Sequence, residues 1–412
     1  MNRQPYCLPP RWWEPKMTPW WVRMSRRYRR RQLEQNQSLD SIDVTNGDLV
    51  REAIDDGKGV LITPNHSVHY DAPCLYLAMD RLDVPLYFLT AWQVFGMASR
   101  LERFAMQRLG CFSIDREGTD RQAFKQAVQI LQEEPHPLVI FPEGDIYHTT
   151  DFVTEFREGA GAIALTAAKR ATRPIVVVPC GIKFWYLDDP GANLLQATRR
   201  IEERLFLRTD QELPLADRIH RLAEAALALK ELDYLGQTRQ GRLRDRIRHL
   251  LEAVLLQLEE RHEIRHKDES SPARVKALRQ TVIKKLNGSE TGFAAGGGAV
   301  VERLCMDMED LFFAVQLYSY RGDYLADNPT IERLAETVDK FEEDILGQDY
   351  PEVRGHRRVS IQFGSPIEVG TGQHRQSTAE LTQTMQASVQ RLIDAINDPS
   401  SSATPSDTMR SV

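Results

Sequence analysis

The sequence predicts an α/β fold in which a mostly parallel central sheet is flanked by helices and carries a large helical insertion or extension. Short apolar runs at Gly59 to Thr63, Pro85 to Leu89, Leu138 to Phe141 and Ile175 to Val178 read as buried strands; all but the second end at a proline (Pro64, Pro142, Pro179). Helical stretches separate them, notably Gln122 to Gln132 and Gly161 to Arg170. From about residue 205 to 347 the apolar residues switch to a helical period.

Residues 1–38 form a basic, tryptophan-rich N-terminal arm: Trp12, Trp13, Trp20 and Trp21 precede Arg23, Arg26, Arg27, Arg29, Arg30 and Arg31. Indole rings favour the headgroup level of a bilayer and arginines are drawn to anionic lipid, so the arm fits a peripheral anchor. The alternative is a proline-broken arm docked on the protein itself. Residues 39–204 and 350–372 make the α/β core, where Val359, Ile361 and Phe363 alternate as a late strand. Residues 205–349 are helical, with stripes at Leu215, Ile219, Leu222, Ala226 and Leu229, at Leu243, Ile247, Leu250, Val254 and Leu258, and at Ile331, Leu334, Val338, Phe341 and Ile345. Asp268 to Pro272 and Asn287 to Gly298 read as loops, and no Gly-Lys-Ser/Thr follows Gly296-Gly297-Gly298 to make it a phosphate loop. A last helix covers 373–398, and a disordered tail 399–412.

Composition narrows the function. With 42% hydrophobic residues the chain buries a substantial core, and a net charge of -6 offers no general field for nucleic acid. Cys7, Cys74, Cys111, Cys180 and Cys305 are scattered, odd in number and free of C-x-x-C pairs, which points to a reducing compartment. The first residues lack the pattern of a secretory signal, and Val84 to Ser99, broken by Pro85, Gln93 and Gly96, falls short of the ~18 apolar residues of a spanning helix. The expected location is cytoplasmic, peripherally associated with a membrane.

The chemistry centres on Asn65-His66-Ser67-Val68-His69-Tyr70-Asp71. An imidazole titrates near neutrality and suits a general base, and a carboxylate beside it would fix its tautomer and stabilise its charged form. On a regular helix five residues separate the two side chains by about 140°. A loop must therefore fold His66 back, and Pro64 before it and Pro73 after Asp71 accommodate such a loop. The alternative is Asp71 as a plain N-cap with His66 as a loop residue. His69 could pair with His66 on a metal, but no third ligand at suitable spacing is evident, so no metal and no cofactor are expected.

The segment resembles the H-x4-D motif of the glycerolipid acyltransferase family, which includes lysophosphatidate and glycerol-3-phosphate acyltransferases. Gly110-Cys111-Phe112-Ser113-Ile114-Asp115-Arg116 is similar to the family's second motif, Phe141-Pro142-Glu143-Gly144 to its third and Val177-Val178-Pro179 to its fourth. Phe156-Arg157-Glu158-Gly159-Ala160 resembles the segment after the third motif, and Phe363-Gly364-Ser365-Pro366-Ile367 the late strand. The resemblance implies transfer of a fatty acyl group from acyl-CoA or acyl carrier protein to a lysophospholipid such as 1-acylglycerol-3-phosphate, at a membrane surface, with His66 as base and Asp71 as its orienter. It implies acceptor binding by Arg116, Glu143 and Gly144, with Asn65, His148 and Arg157 in support. Two residues have competing readings: Arg116 in an ion pair around Asp115 or Glu117, and Glu143 as acceptor of backbone N–H groups.

One departure bears on the acceptor. Many relatives continue Phe-Pro-Glu-Gly with Thr-Arg-Ser, where this chain has Asp145-Ile146-Tyr147-His148. Losing an arginine and gaining a carboxylate both weaken a phosphate site, which opens an alternative with the same chemistry on a phosphate-free lipid. A further alternative is a catalytically inactive protein that binds membranes or a partner through its arm and helical block.

Overall fold

Side-chain alternation decides how the sheet is covered. The computed structural model describes residues 10–116, 118, 120–264, 270–288, 298–326, 328–370 and 376–398. Its strands are β1 (Leu39–Thr45), β2 (Gly59–Pro64), β3 (Tyr87–Ala91), β4 (Cys111–Ile114), β5 (Leu138–Val139), β6 (Ile175–Tyr186), β7 (Arg357–Phe363) and β8 (Ile367–Glu368). They form one sheet in the order β1-β7-β6-β2-β5-β3-β4, with β8 also on β6. Pairing is parallel from β6 through β4 and antiparallel where β7 and β8 meet β6; β1 runs parallel to β7. The mostly parallel sheet read from the sequence is thus present. Val60, Ile62, Val176 and Val178 face one core, while Leu61, Ile175 and Val177 face the other, so both faces are apolar and both need helices.

The helices in chain order begin with α1 (Pro19–Gln37), α2 (Asp48–Asp55), α3 (Asp71–Asp80), α4 (Trp92–Met97), α5 (Arg100–Arg108), α6 (Arg121–Glu133) and α7 (Gly159–Arg170). Next come α8 (Gly191–Arg204), α9 (Leu215–Leu235), α10 (Leu243–His262), α11 (Ser271–Gly288), α12 (Ala299–Ser319), α13 (Ile331–Phe341) and α14 (Thr378–Asn397). Val22 and Leu33 of α1, Val50 of α2 and Cys74, Leu75 and Met79 of α3 fill the first core. Ala127 and Ile130 of α6, Ile163 of α7 and Leu381, Met385 and Val389 of α14 fill the second.

Two units emerge: one runs from Pro10 to Pro190 and resumes at Glu352, and the other spans Gly191–Pro351. The helical block is therefore an insertion between β6 and β7. It starts at Gly191 and not at 205, because Leu194, Ala197 and Ile201 give α8 a buried face within that unit. The unit has its own core, with Leu250, Val254, Leu258, Leu278, Val282, Leu311 and Val315 all buried. Two expected stripes shift. Leu229 is exposed while Leu227 is buried, and α13 passes into a π-helical turn at Glu342–Leu346 that takes Ile345 off the stripe.

Other expectations change. β6 does not stop at Pro179 but continues to Tyr186. Ser271 and Pro272, expected in a loop, open α11, and the same helix persists to Gly288, past the expected loop start at Asn287; residues 265–269 and 289–297 lie outside the described residues, as does the 399–412 tail. The N-terminal arm, of which residues 1–9 lie outside the described residues, is docked rather than free from Pro10 on. Trp13 N–H donates to Ser113 Oγ (2.8 Å) and Ser113 N–H to the Trp13 carbonyl (3.0 Å), covering the open edge of β4. Trp13 stacks on Phe95 at 5.2 Å and Trp12 meets Phe112 edge-on at 6.3 Å. Along α1, Arg23 and Arg26 bind Asp83 (2.9 and 2.8 Å) and Arg29 binds the buried Asp80 (2.6 Å).

Candidate active site

Parallel strands deliver their following loops to one end of the sheet, and here β2, β5 and β4 deliver His66, Glu143 and Arg116. β2 ends at Pro64, and Asn65 then extends the ladder with its side chain. Its Oδ1 accepts from Ile182 N–H (2.7 Å) and its Nδ2 donates to the Ile182 carbonyl (3.0 Å). The Asn65 amide is thereby engaged by β6, and its support of the site is through the backbone.

The loop folds His66 back as the Pro64 and Pro73 positions anticipate. His66 Nδ1 lies 2.9 Å from Asp71 Oδ2, and the same oxygen accepts N–H bonds from Ser67 (2.7 Å) and Val68 (2.9 Å). Asp71 is the first residue of α3, whose N-cap, Tyr70, makes no side-chain cap. Its carboxylate therefore points back into the loop and does not cap its own helix. An ionised carboxylate oxygen only accepts, so the contact assigns the imidazole proton to Nδ1 and leaves the lone pair on Nε2. Asp71 is fully buried and the His66 side chain 19% exposed, so the imidazole can be reached from outside and the carboxylate cannot. The imidazole also stacks on Phe141, ring centroids 4.2 Å apart.

Phe141 to Gly144 forms a turn closed by the Gly144 N–H to the Phe141 carbonyl (3.1 Å), with Pro142 in the position where its fixed φ helps. Glu143 is buried. Its Oε1 accepts the His66 N–H (2.7 Å) and its Oε2 the Thr154 N–H (3.0 Å), so it braces the His66 loop. Of the two sequence readings of Glu143, its geometry is that of a backbone acceptor and not a free acceptor ligand. Burial pushes its carboxyl up to about 8, against the two N–H bonds, which hold the charge. Gly144 sits at φ +76°, and a Cβ there would come within 2.5 Å of Arg157 Nε. Arg157 thus packs its guanidinium over the turn. Arg116 donates from Nη1 to the Gly144 carbonyl and has Asp145 Oδ1 at 3.9 Å. Arg116, Gly144 and Arg157 therefore share one corner of the site.

His148 is buried, in a left-handed conformation (φ +52°), with its ring edge-on to His69 at 5.9 Å. His69 belongs to the His66–Asp71 loop itself, and His148 lies beside it. Cys74 and Cys180 are buried near Asp71; burial first, then that carboxylate's charge, raises both thiols well above their ordinary range, which disqualifies them as nucleophiles.

Sequence reasoning missed a second support. Gln390 Oε1 accepts Val153 N–H (2.9 Å), Gln390 Nε2 donates to the Asp151 carbonyl (3.0 Å), and Gln386 Oε1 accepts Phe156 N–H (3.1 Å). α14 thereby clamps the segment whose Thr154 N–H holds Glu143. The buried Lys183 binds Thr150 (3.0 Å) and Asp151 in the same segment. Only a polar stripe among the apolar positions of α14 marks these glutamines, and nothing in their spacing names their partners.

Residues 41–183 match the family model described as Acyltransferase. No curated protein matches the chain. The matched span runs from β1 into β6 and contains the His66–Asp71 loop, Arg116 and the Glu143 turn. Over residues 41–183 the chain carries a domain of the glycerolipid acyltransferase family, an enzyme domain for acyl transfer to a lipid.

Proposed function

We propose that the protein transfers a fatty acyl group from acyl-CoA or acyl carrier protein to the hydroxyl of a lysophospholipid such as 1-acylglycerol-3-phosphate. The observation that carries the reading is the convergence of His66 Nδ1 and two backbone N–H groups on Asp71 Oδ2. In this scheme His66 Nε2 takes the proton of the acceptor hydroxyl as its oxygen attacks the thioester carbonyl. The tetrahedral intermediate collapses by breaking the C–S bond, and the proton on Nε2 goes to the departing sulfur. Asp71 stabilises the imidazolium that exists between those two transfers. Arg116, beside the Gly144 carbonyl, supplies the cation for the acceptor's phosphate. No helix among the described residues is long and apolar enough to cross a membrane, and the enzyme in this reading meets its lipid at the bilayer surface. Purified protein given labelled acyl thioester and lysophosphatidate should form phosphatidate; retained transfer by a His66→Ala variant would refute the base assignment.

One observation favours a second reading of the acceptor. Asp145, in place of the relatives' threonine, lies 3.9 Å from Arg116 and offsets its charge. The alternative is the same chemistry on a phosphate-free alcohol such as a monoacylglycerol. Side-by-side turnover on the two acceptors decides, and a clear preference for lysophosphatidate rejects the alternative.

A further inference from the structure

We propose that the outward face of α1, together with the α4–α5 corner, is a docking surface for an anionic lipid bilayer. The proposal rests on the lipid-acceptor reading above and names the partner surface that reading requires.

α1 has two unlike faces. Val22 and Leu33 are buried, and Arg26 and Arg29 on the same side are tied to Asp80. At ~100° per residue, Trp20, Met24, Arg27, Tyr28 and Arg31 fall within an arc of about 100° on the opposite side. Trp20, Met24 and Tyr28 are 62%, 62% and 66% exposed, and Arg27 and Arg31 are exposed without an ion-pair partner among the described residues. An outer helix face made of aromatic, apolar and cationic side chains is the reverse of an ordinary solvated face.

A second exposed apolar group adjoins it. Met97 closes α4, and Leu101 (74% exposed) and Phe104 sit one turn apart on α5. Trp21 meets Trp20 at 5.9 Å and Phe104 at 5.6 Å, so the two groups form one continuous surface. Isolated exposed apolar residues need no explanation; a contiguous set rimmed by arginines does. Aromatic rings for the headgroup level and arginines for anionic phosphate match a bilayer surface. A second copy of the chain fits worse, because a two-fold contact would set this cationic patch, with the unpaired Arg27 and Arg31, against an identical cationic patch. Position agrees as well: α4 leaves the carboxyl end of β3, the end of the sheet that bears His66 and Arg116.

The test uses the full chain and vesicles of phosphatidylcholine, alone or mixed with phosphatidylglycerol, in co-sedimentation. Wild type should bind the mixed vesicles and lose binding as salt rises. The paired change Met24→Asp with Leu101→Asp, and separately Arg27→Glu with Arg31→Glu, should each weaken that binding about tenfold or more. Leu229→Asp, at an exposed position on α9, should leave binding unchanged and reports on nonspecific effects. Turnover on a dispersed short-chain acceptor should be unaltered in all these variants, which shows that they fold. Vesicle binding equal to wild type in both paired variants, or no binding by wild type, overturns the proposal. So does a wild-type dimer in light scattering that either pair abolishes. Vesicle binding without acyl transfer to any lipid would instead overturn the proposed function and leave the surface standing.

Discussion

Replacing Asp71 separates what the carboxylate does for the base from what it does for the loop. In Asp71→Asn the amide oxygen can take the place of Oδ2 and keep the Ser67 and Val68 N–H bonds, while the charge facing His66 is lost. With charge centres about 4 Å apart and an effective dielectric constant near 20, the ion pair stabilises the imidazolium by up to about 4 kcal/mol. That converts to a loss of roughly a thousandfold in kcat. The folding cost should be small, about 1 kcal/mol, because the buried donors stay paired. Asp71→Ala removes the acceptor altogether and leaves two backbone N–H groups unpaired, at about 1–3 kcal/mol each, so it should lose stability as well as turnover. Thiol release from the acyl thioester gives kcat, and urea unfolding gives stability. If Asp71→Asn unfolds like wild type and keeps kcat within about threefold, a loss under 1 kcal/mol of barrier, Asp71 is only a loop acceptor and the dyad is wrong.

Glu143→Gln tests the brace and its titration. A folded-state value of about 8 against an ordinary 4.5 means the folded protein holds a proton that the unfolded chain has released between those limits. The contribution of Glu143 to stability therefore falls as pH rises through that window, and the melting temperature of Glu143→Gln relative to wild type should climb from pH 5 to 8 and then level; a constant difference would contradict the burial argument. Gly144→Ala forces a side chain into a left-handed conformation against Arg157 and should cost about 1–2 kcal/mol, with a raised KM for the acceptor in steady-state kinetics. Gln390→Leu removes both bonds from α14 to the 151–153 backbone and should cost about 1–3 kcal/mol in urea unfolding. In that variant kcat should fall more than the acceptor KM rises, since the loss reaches His66 through Thr154 and Glu143.

The His66–Asp71 pair was legible because both partners lie in one short loop, and the strands β2, β3, β5 and the start of β6 because they are buried runs. β1 was not, since Asp40, Ser41 and Asp43 interrupt its apolar positions, as befits an edge strand. β6 outran its expected end for a geometric reason. The Pro179 carbonyl accepts from Gly364 N–H, so its nitrogen faces the same side, at the gap where β8 pairing ends and β7 pairing begins. Proline forgoes only the reciprocal bond to Gly364, which lies between the β8 and β7 pairings, and so it is tolerated. That Glu143 accepts backbone N–H groups was one of its two sequence readings, but its donors at residues 66 and 154 stayed hidden, since main-chain N–H groups leave no mark in side-chain spacing. The Trp-Arg arm misled in part, since Trp12, Trp13, Arg23, Arg26 and Arg29 serve the fold.

The insertion between β6 and β7 also bears on how the chain assembles. Tyr186 pairs with Arg357, and just outside them Leu187 N–H donates to the His356 carbonyl (2.8 Å) and His356 N–H to Asp188 (2.8 Å). Topologically this is a hairpin whose turn has been replaced by an entire helical unit. Closing an unstructured connection of that length costs roughly 2–3 kcal/mol more than closing one of about ten residues. The helical unit draws its core from helices near one another in sequence, an arrangement that favours fast formation, whereas the β6–β7 and β1–β7 seams join distant segments, which slows closure. Compaction of the insert ahead of the sheet would turn a long random connection into a short one, and the expected order of assembly therefore closes the last seam of the sheet on a scaffold already built.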